Sequence, residues 1–99
     1  MDVKIQSIKF NADKKLVDFI NAKMAKIQRF YDAIIGAEVF LKFENTQELD
    51  NKTVEVKILI PGNDLFVQRQ ARTFEEGIDE CIEVLKRQVT KHKERQRGI

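Results

Sequence analysis

A chain of 99 residues, 42% hydrophobic and 34% charged, makes one small domain with a real core and a densely ionic surface. The net charge of +2 does not by itself select a nucleic-acid partner, so that question passes to where the charges sit. A single cysteine, Cys81, excludes an intramolecular disulfide and multi-cysteine metal sites, and no apolar run approaches the roughly 20 residues of a membrane helix.

The N-terminus, Met1-Asp2-Val3-Lys4-Ile5, lacks the basic-then-apolar order of a signal peptide, so the expectation is a soluble cytoplasmic protein. Val3, Ile5 and Ser7 alternate with Lys4 and Gln6, which predicts a strand with one buried face. Asp13 then caps a helix whose Leu16, Phe19, Ile20, Met24, Ile27 and Tyr31 recur at helical spacing, and the stretch is expected to end near Gly36. Val39, Leu41 and Phe43 mark a second strand. Val54, Val56, Ile58 and Ile60 mark a third, after a polar loop from Asn45 to Asn51. Pro61-Gly62-Asn63-Asp64 is a tight-turn signal, and a fourth strand from about Leu65 to Arg72 pairs back as a hairpin. Phe74, Ile78, Cys81, Ile82, Leu85 and Val89 form the apolar stripe of a closing helix, with Thr73 and Glu76 spaced as a capping box. The order is β-α-β-β-β-α. This predicts an α+β, two-layer domain over 1–99 with a four-stranded sheet and both helices on one face.

The closing helix is polarised. Glu75, Glu76, Asp79, Glu80 and Glu83 precede Lys86, Arg87, Lys91, His92, Lys93, Arg95 and Arg97, with Glu94 the one acid among them. At roughly 1.5 Å per residue the basic segment spans about 18 Å, long enough to meet several backbone phosphates. The helix macrodipole also favours acid first and base last, at about 0.3–1 kcal/mol per well-placed charge. That effect fades beyond the terminal turn, and six cations from Lys86 to Arg97 exceed what it needs. Helical projection places Lys86, Lys93 and Arg97 on one flank of the stripe and Arg87, Lys91 and Arg95 on the other. Lys23, Lys26 and Arg29 form a second basic set on the first helix, and Arg72 with Arg69 could carry a basic surface onto the sheet. Arg69 shares the parity of Leu65 and Val67 and could instead sit at an edge. Phe40, Phe43, Phe66 and Tyr31 could stack on bases, but no RNP-like aromatic pattern surrounds them, so they are read as core or edge packing.

Catalytic chemistry has no visible carrier. His92 is the sole histidine and sits among cations, Cys81 falls on the apolar stripe, and neither a phosphate-binding glycine loop nor a serine elbow occurs. No catalytic residue, metal site, cofactor or small-molecule substrate is expected.

The segment from Ile78-Asp79 through Leu85 and Gln88 to Lys91, His92, Lys93 and Arg95 is similar to the end of the ribosome hibernation-promoting factor family. The opening, Val3-Lys4-Ile5 and then Leu16-Val17-Asp18-Phe19-Ile20 to Phe30-Tyr31-Asp32, also resembles that family, and the short members most closely match the chain's length. The resemblance implies a fold like the double-stranded-RNA-binding domain. It also implies docking on 16S rRNA of the small ribosomal subunit, in the messenger and transfer RNA path, with translation inhibited by occupancy in the stationary-phase stress response. Long members add a C-terminal dimerisation domain that is not expected here, so ribosome pairing would need cooperation from another factor. The rRNA-binding residues expected are Lys86, Arg87, Lys91, His92, Lys93, Arg95 and Arg97, joined by Lys23, Lys26, Arg29 and Arg72. Thr73, Glu75 and Gly77 depart from the family's usual Asp, Tyr and Ala. Two rivals stay open: an RNA-binding module acting away from the ribosome, and a protein-interaction module modulating transcription. The first is disfavoured by the acidic start of the closing helix, where double-stranded-RNA binders usually place lysines.

Overall fold

The computed structural model describes residues 1–96. Six elements follow in order: β1 (Asp2–Ile8), α1 (Lys14–Phe30), β2 (Gly36–Phe43), β3 (Lys52–Ile60), β4 (Asn63–Ala71) and α2 (Phe74–Gln96). The sheet order is β1-β2-β3-β4, with β1 parallel to β2 and the other neighbours antiparallel. A parallel pair needs a crossover, and α1 supplies it.

Alternation decides the two sheet faces. Ala37, Val39 and Leu41 of β2 share one face with Val54, Val56, Ile58 and Ile60 of β3, and all are buried beneath the helices. Leu16, Ile20, Met24 and Ile27 of α1 close this core from one side, and the expected stripe of α2, Phe74 to Val89, closes it from the other. The opposite face is bare and carries a row of alternating charge, with Lys4 opposite Glu38 and Glu38 opposite Lys57.

Local signals place the ends. The Asp13 carboxylate accepts from the Leu16 N–H at 2.9 Å, and the Thr73 hydroxyl accepts from the Glu76 N–H at 3.0 Å, so both helices are capped where a cap was expected. Pro61 presets the first corner of the β3–β4 hairpin and Gly62 takes φ 79° at the second, which starts β4 at Asn63, two residues before the expected Leu65. Lys9 has φ 65°, and the bend it makes drops Phe10 onto Phe43 and Phe74, with ring centroids 4.9 and 5.2 Å away.

The first helix ends earlier than expected. Tyr31 is extended (φ −153°) and stops it at Phe30. Ile34 then turns back into the core, and the Ile35 N–H donates to the Leu59 carbonyl at 2.8 Å, so these isoleucines anchor a connection and do not prolong the helix. Gly36 is no helix stop. It opens β2, where a Cβ would lie 2.9 Å from the Asp2 carbonyl oxygen.

Candidate nucleic-acid interface

The ends of α1 and α2 lie side by side. Lys23 of α1 meets Asp79 of α2 at 2.9 Å, and further along both helices Lys93 of α2 donates to the Phe30 carbonyl at 3.0 Å. The shared order means the helices run in the same sense, which the strand directions require. Both basic sets therefore face solvent on one layer.

The candidate cations divide by what they touch. Lys23 is three-quarters buried, paired with Asp79, and stands 5.2 Å over the Phe19 ring. Lys93 satisfies a terminal carbonyl of α1 and stands 5.6 Å over the Phe30 ring. Lys86 pairs with Glu83 at 3.6 Å on an exposed surface, a contact of little energetic weight. By contrast Lys26, Arg29, Arg87, Lys91 and Arg95 are exposed and make no ion pair among the described residues. Charge held free in solvent is what counterion release from a phosphate backbone requires.

Two of the grooves beside these residues border Lys91. One, of about 510 Å³, lies between the end of α1 and the outward face of α2, lined by Phe30, Glu83, Lys86, Arg87, Thr90, Lys91 and Glu94. Lys86 and Arg87, expected on opposite flanks, thus share one groove. The other, of about 180 Å³, separates α2 from the start of β4 and is lined by Asn63, Leu65, Gln88, Lys91, His92 and Arg95. His92 is half-buried, its ring 5.6 Å from Tyr31 at 68°, and its Nε2 is buried with no hydrogen-bond partner among the described residues. Packing on Tyr31 thus accounts for most of the ring.

Arg72 is not brought to this surface. It follows β4 at the opposite end of α2, beside Asp50 at 3.8 Å. Arg97 lies outside the described residues. Arg69 sits on the helix side of edge strand β4, half-buried, donating to the Gln68 carbonyl at 2.8 Å. Of the aromatics weighed, Tyr31 packs on His92 and Phe40 is half-buried; Phe43 meets the Phe10 and Phe74 rings yet stays 49% exposed, and Phe66 is 51% exposed on the bare sheet face. Phe30, 41% exposed beside the free cations, was missed by periodicity. Its signal was an aromatic one turn beyond Lys26, off the buried stripe of α1.

Cys81 is fully buried, and desolvation pushes its thiol up to about 12 against a weaker opposing effect of Arg69. It stays a protonated core group. Among the described residues, no cluster of His, Cys, Asp or Glu could hold a metal ion, and no helix is long and apolar enough to cross a membrane.

Comparison with known proteins places the chain in a family. The family model described as "Sigma 54 modulation protein / S30EA ribosomal protein" matches residues 3–97. A ribosome hibernation promoting factor of Pseudomonas putida is 28% identical over 99 residues, covering all of this chain and 93% of that one. The Escherichia coli K12 protein of the same name is 28% identical over 95 residues, 96% of each chain. Among solved structures, a ribosomal subunit interface protein from Coxiella burnetii superposes with a TM-score of 0.82 at 18% identity, over 94% of this chain and 98% of that one. The Thermus thermophilus Protein Y N-terminal domain gives 0.79 at 20% identity, over 93% and 99%. These last two establish the fold: a mixed four-stranded sheet with two helices packed on it. With the model spanning nearly every residue, the chain belongs to the sigma-54 modulation/S30EA ribosomal protein family, a family of ribosome hibernation factors and not of enzymes.

Proposed function

We propose that residues 1–99 act as one ribosome-binding domain that docks on 16S rRNA of the small ribosomal subunit, in the messenger and transfer RNA path, and inhibits translation by occupying it. The observation that carries this is the set of unpaired cations, Lys26, Arg29, Arg87, Lys91 and Arg95, presented by the two helices in a chain of this family. Such a surface binds phosphate and shape, so its affinity falls steeply with salt and depends little on base sequence. Lys86 joins it at small cost, because its exposed pairing with Glu83 exchanges readily for a phosphate. Lys23, His92 and Lys93 act from behind, by holding α1, Tyr31 and α2 together. No step of the mechanism is catalytic. It is competition for a site in the cytoplasm.

The test is sedimentation of the purified protein with small subunits at low and moderate salt, with messenger and initiator transfer RNA as competitors. Saturable binding that these ligands displace is the expected result. Binding that survives saturating competitors would disprove occupancy of their path. Absence of binding to intact subunits would redirect the search to free RNA or a protein partner.

A further inference from the structure

We propose that Phe30 is a stacking platform for one unpaired base of the bound RNA, held in the groove between the end of α1 and the outer face of α2; this rests on the ribosomal RNA reading above. Phe30 is the last residue of α1 and keeps 41% of its surface in solvent, although it lies beside a helix with which it could have packed. Its backbone is anchored, since Lys93 donates to its carbonyl at 3.0 Å, and the Lys93 ammonium also steadies the ring from 5.6 Å. Lys93 and Arg29 line a second hollow, which Phe30 also borders together with Tyr31, Asp32 and Ala33. The larger groove, of about 510 Å³, is bordered by Phe30 and not by Lys93.

The charges around the groove choose the kind of ligand. Lys86, Arg87 and Lys91 are partly offset there by Glu83 and Glu94, and Lys86 is already paired with Glu83. A phosphate held within the groove, and not on a single cation at its edge, would also face those two carboxylates. A neutral base would not: its π face suits Phe30, and the carboxylates can accept from an exocyclic amino group. Arg87 and Lys91, exposed at the rim, are then placed for the flanking phosphates. The ligand class is thus a single unpaired nucleotide, held by its π face.

The sequence contains no tryptophan, so Phe30→Trp introduces one reporter on an aromatic platform. Incorporated as 5-hydroxytryptophan, it is excited apart from the tryptophans of ribosomal proteins. Phe30→Trp should bind small subunits at least as tightly as the wild type. Its emission should be quenched, and shielded from acrylamide, in step with binding. Phe30→Leu keeps an apolar contact but loses the π face, and should bind roughly 5- to 150-fold more weakly with its melting temperature little changed, the span of single-base stacking losses. Wild-type affinity in Phe30→Leu, or a complex that forms with the reporter's emission unchanged, overturns the proposal while leaving the ribosome reading intact. Failure of the wild-type chain to bind overturns both.

Discussion

Replacing Arg87 and Lys91 by glutamine should weaken RNA binding strongly and leave stability alone, whereas replacing Lys23 and Lys93 by glutamine should chiefly lower stability. The division follows from what each side chain touches. Arg87 and Lys91 are exposed and, among the described residues, without an ion-pair partner. Lys23 holds Asp79 at 2.9 Å and Lys93 holds the Phe30 carbonyl at 3.0 Å. Each phosphate contact adds about 0.7 (single strand) to 0.9 (duplex) to the slope of log affinity against log salt. Two lost contacts therefore flatten that slope by about 1.4–1.8. If the electrostatic contribution vanishes near 1 M, the deficit at about 0.1 M salt is the same number of decades, roughly 25- to 60-fold.

The inner pair carries a different magnitude. An exposed or half-exposed ion pair contributes about 0.2–1 kcal/mol, and a cation on a helix C-terminus about 0.3–1. Their joint loss, about 0.5–2 kcal/mol, lowers the melting temperature by roughly 2–15 °C in a domain of this size. Sedimentation with small subunits across a salt series reads the slopes, and circular dichroism reads the melts. An Arg87/Lys91 variant with the wild-type slope would refute the assignment, and so would a Lys23/Lys93 variant that melts unchanged while its slope flattens.

Three further outcomes concern the core and caps. In Gly77→Ala the new Cβ would sit 2.6 Å from Val54 Cγ2, so overpacking of about 1–3 kcal/mol outweighs about 1 kcal/mol of helix propensity. The variant should lose up to about 2 kcal/mol in urea unfolding, yet the same change in a Val54→Ala background should stabilise; equal effects in both backgrounds would refute the close-approach account. The buried Cys81 thiol is pushed up to about 12, whereas the unfolded thiol ionises near about 8.5, so above that pH the unfolded state binds fewer protons and stability falls. The decline should approach about 1.4 kcal/mol per pH unit and be absent from Cys81→Ala, as urea melts at pH 8 and pH 10 (about one unit on either side of 9) would reveal. Thr73→Ala removes the acceptor for the Glu76 N–H and should cost about 1 kcal/mol, with a melting temperature equal to wild type counting against the cap.

Much of the fold was legible because its signals are local. The alternation of Val54 to Ile60, the stripe from Phe74 to Val89, and the caps at Asp13 and Thr73 each act within a few residues, and each lands where the spacing puts it. The end of α1 misled because Tyr31, Ile34 and Ile35 continue an apolar pattern. What fixes them is contact of Tyr31 with α2, burial of Ile34 in the core and the bond from the Ile35 N–H to the Leu59 carbonyl, while the Ile35 side chain stays exposed; these partners lie far along the chain. The site was harder for the same reason. Basic residues are visible in sequence, but whether one is free or engaged depends on a partner such as Phe30, 63 residues from Lys93. Arg72 looked continuous with the basic surface only until the length of α2 separated them. Phe30 was hidden by being one more apolar residue in a helix already supplied with a stripe.

That separation of roles also resolves the two explanations for the polarised α2. The macrodipole favours cations in the last turn, and there stand Lys93, which caps α1, and Arg95. At the other end, Asp79 belongs to an acidic half that the dipole favours, and it is used to hold Lys23. Arg87 and Lys91 lie before the last turn, where the dipole has faded, and no acidic partner holds them among the described residues. Stability therefore accounts for the charges at the ends of α2 and leaves unexplained those between them. Isolated cations kept exposed on a helix face contribute little to folding that glutamine would not, and the rRNA contact proposed above is the role we assign to them.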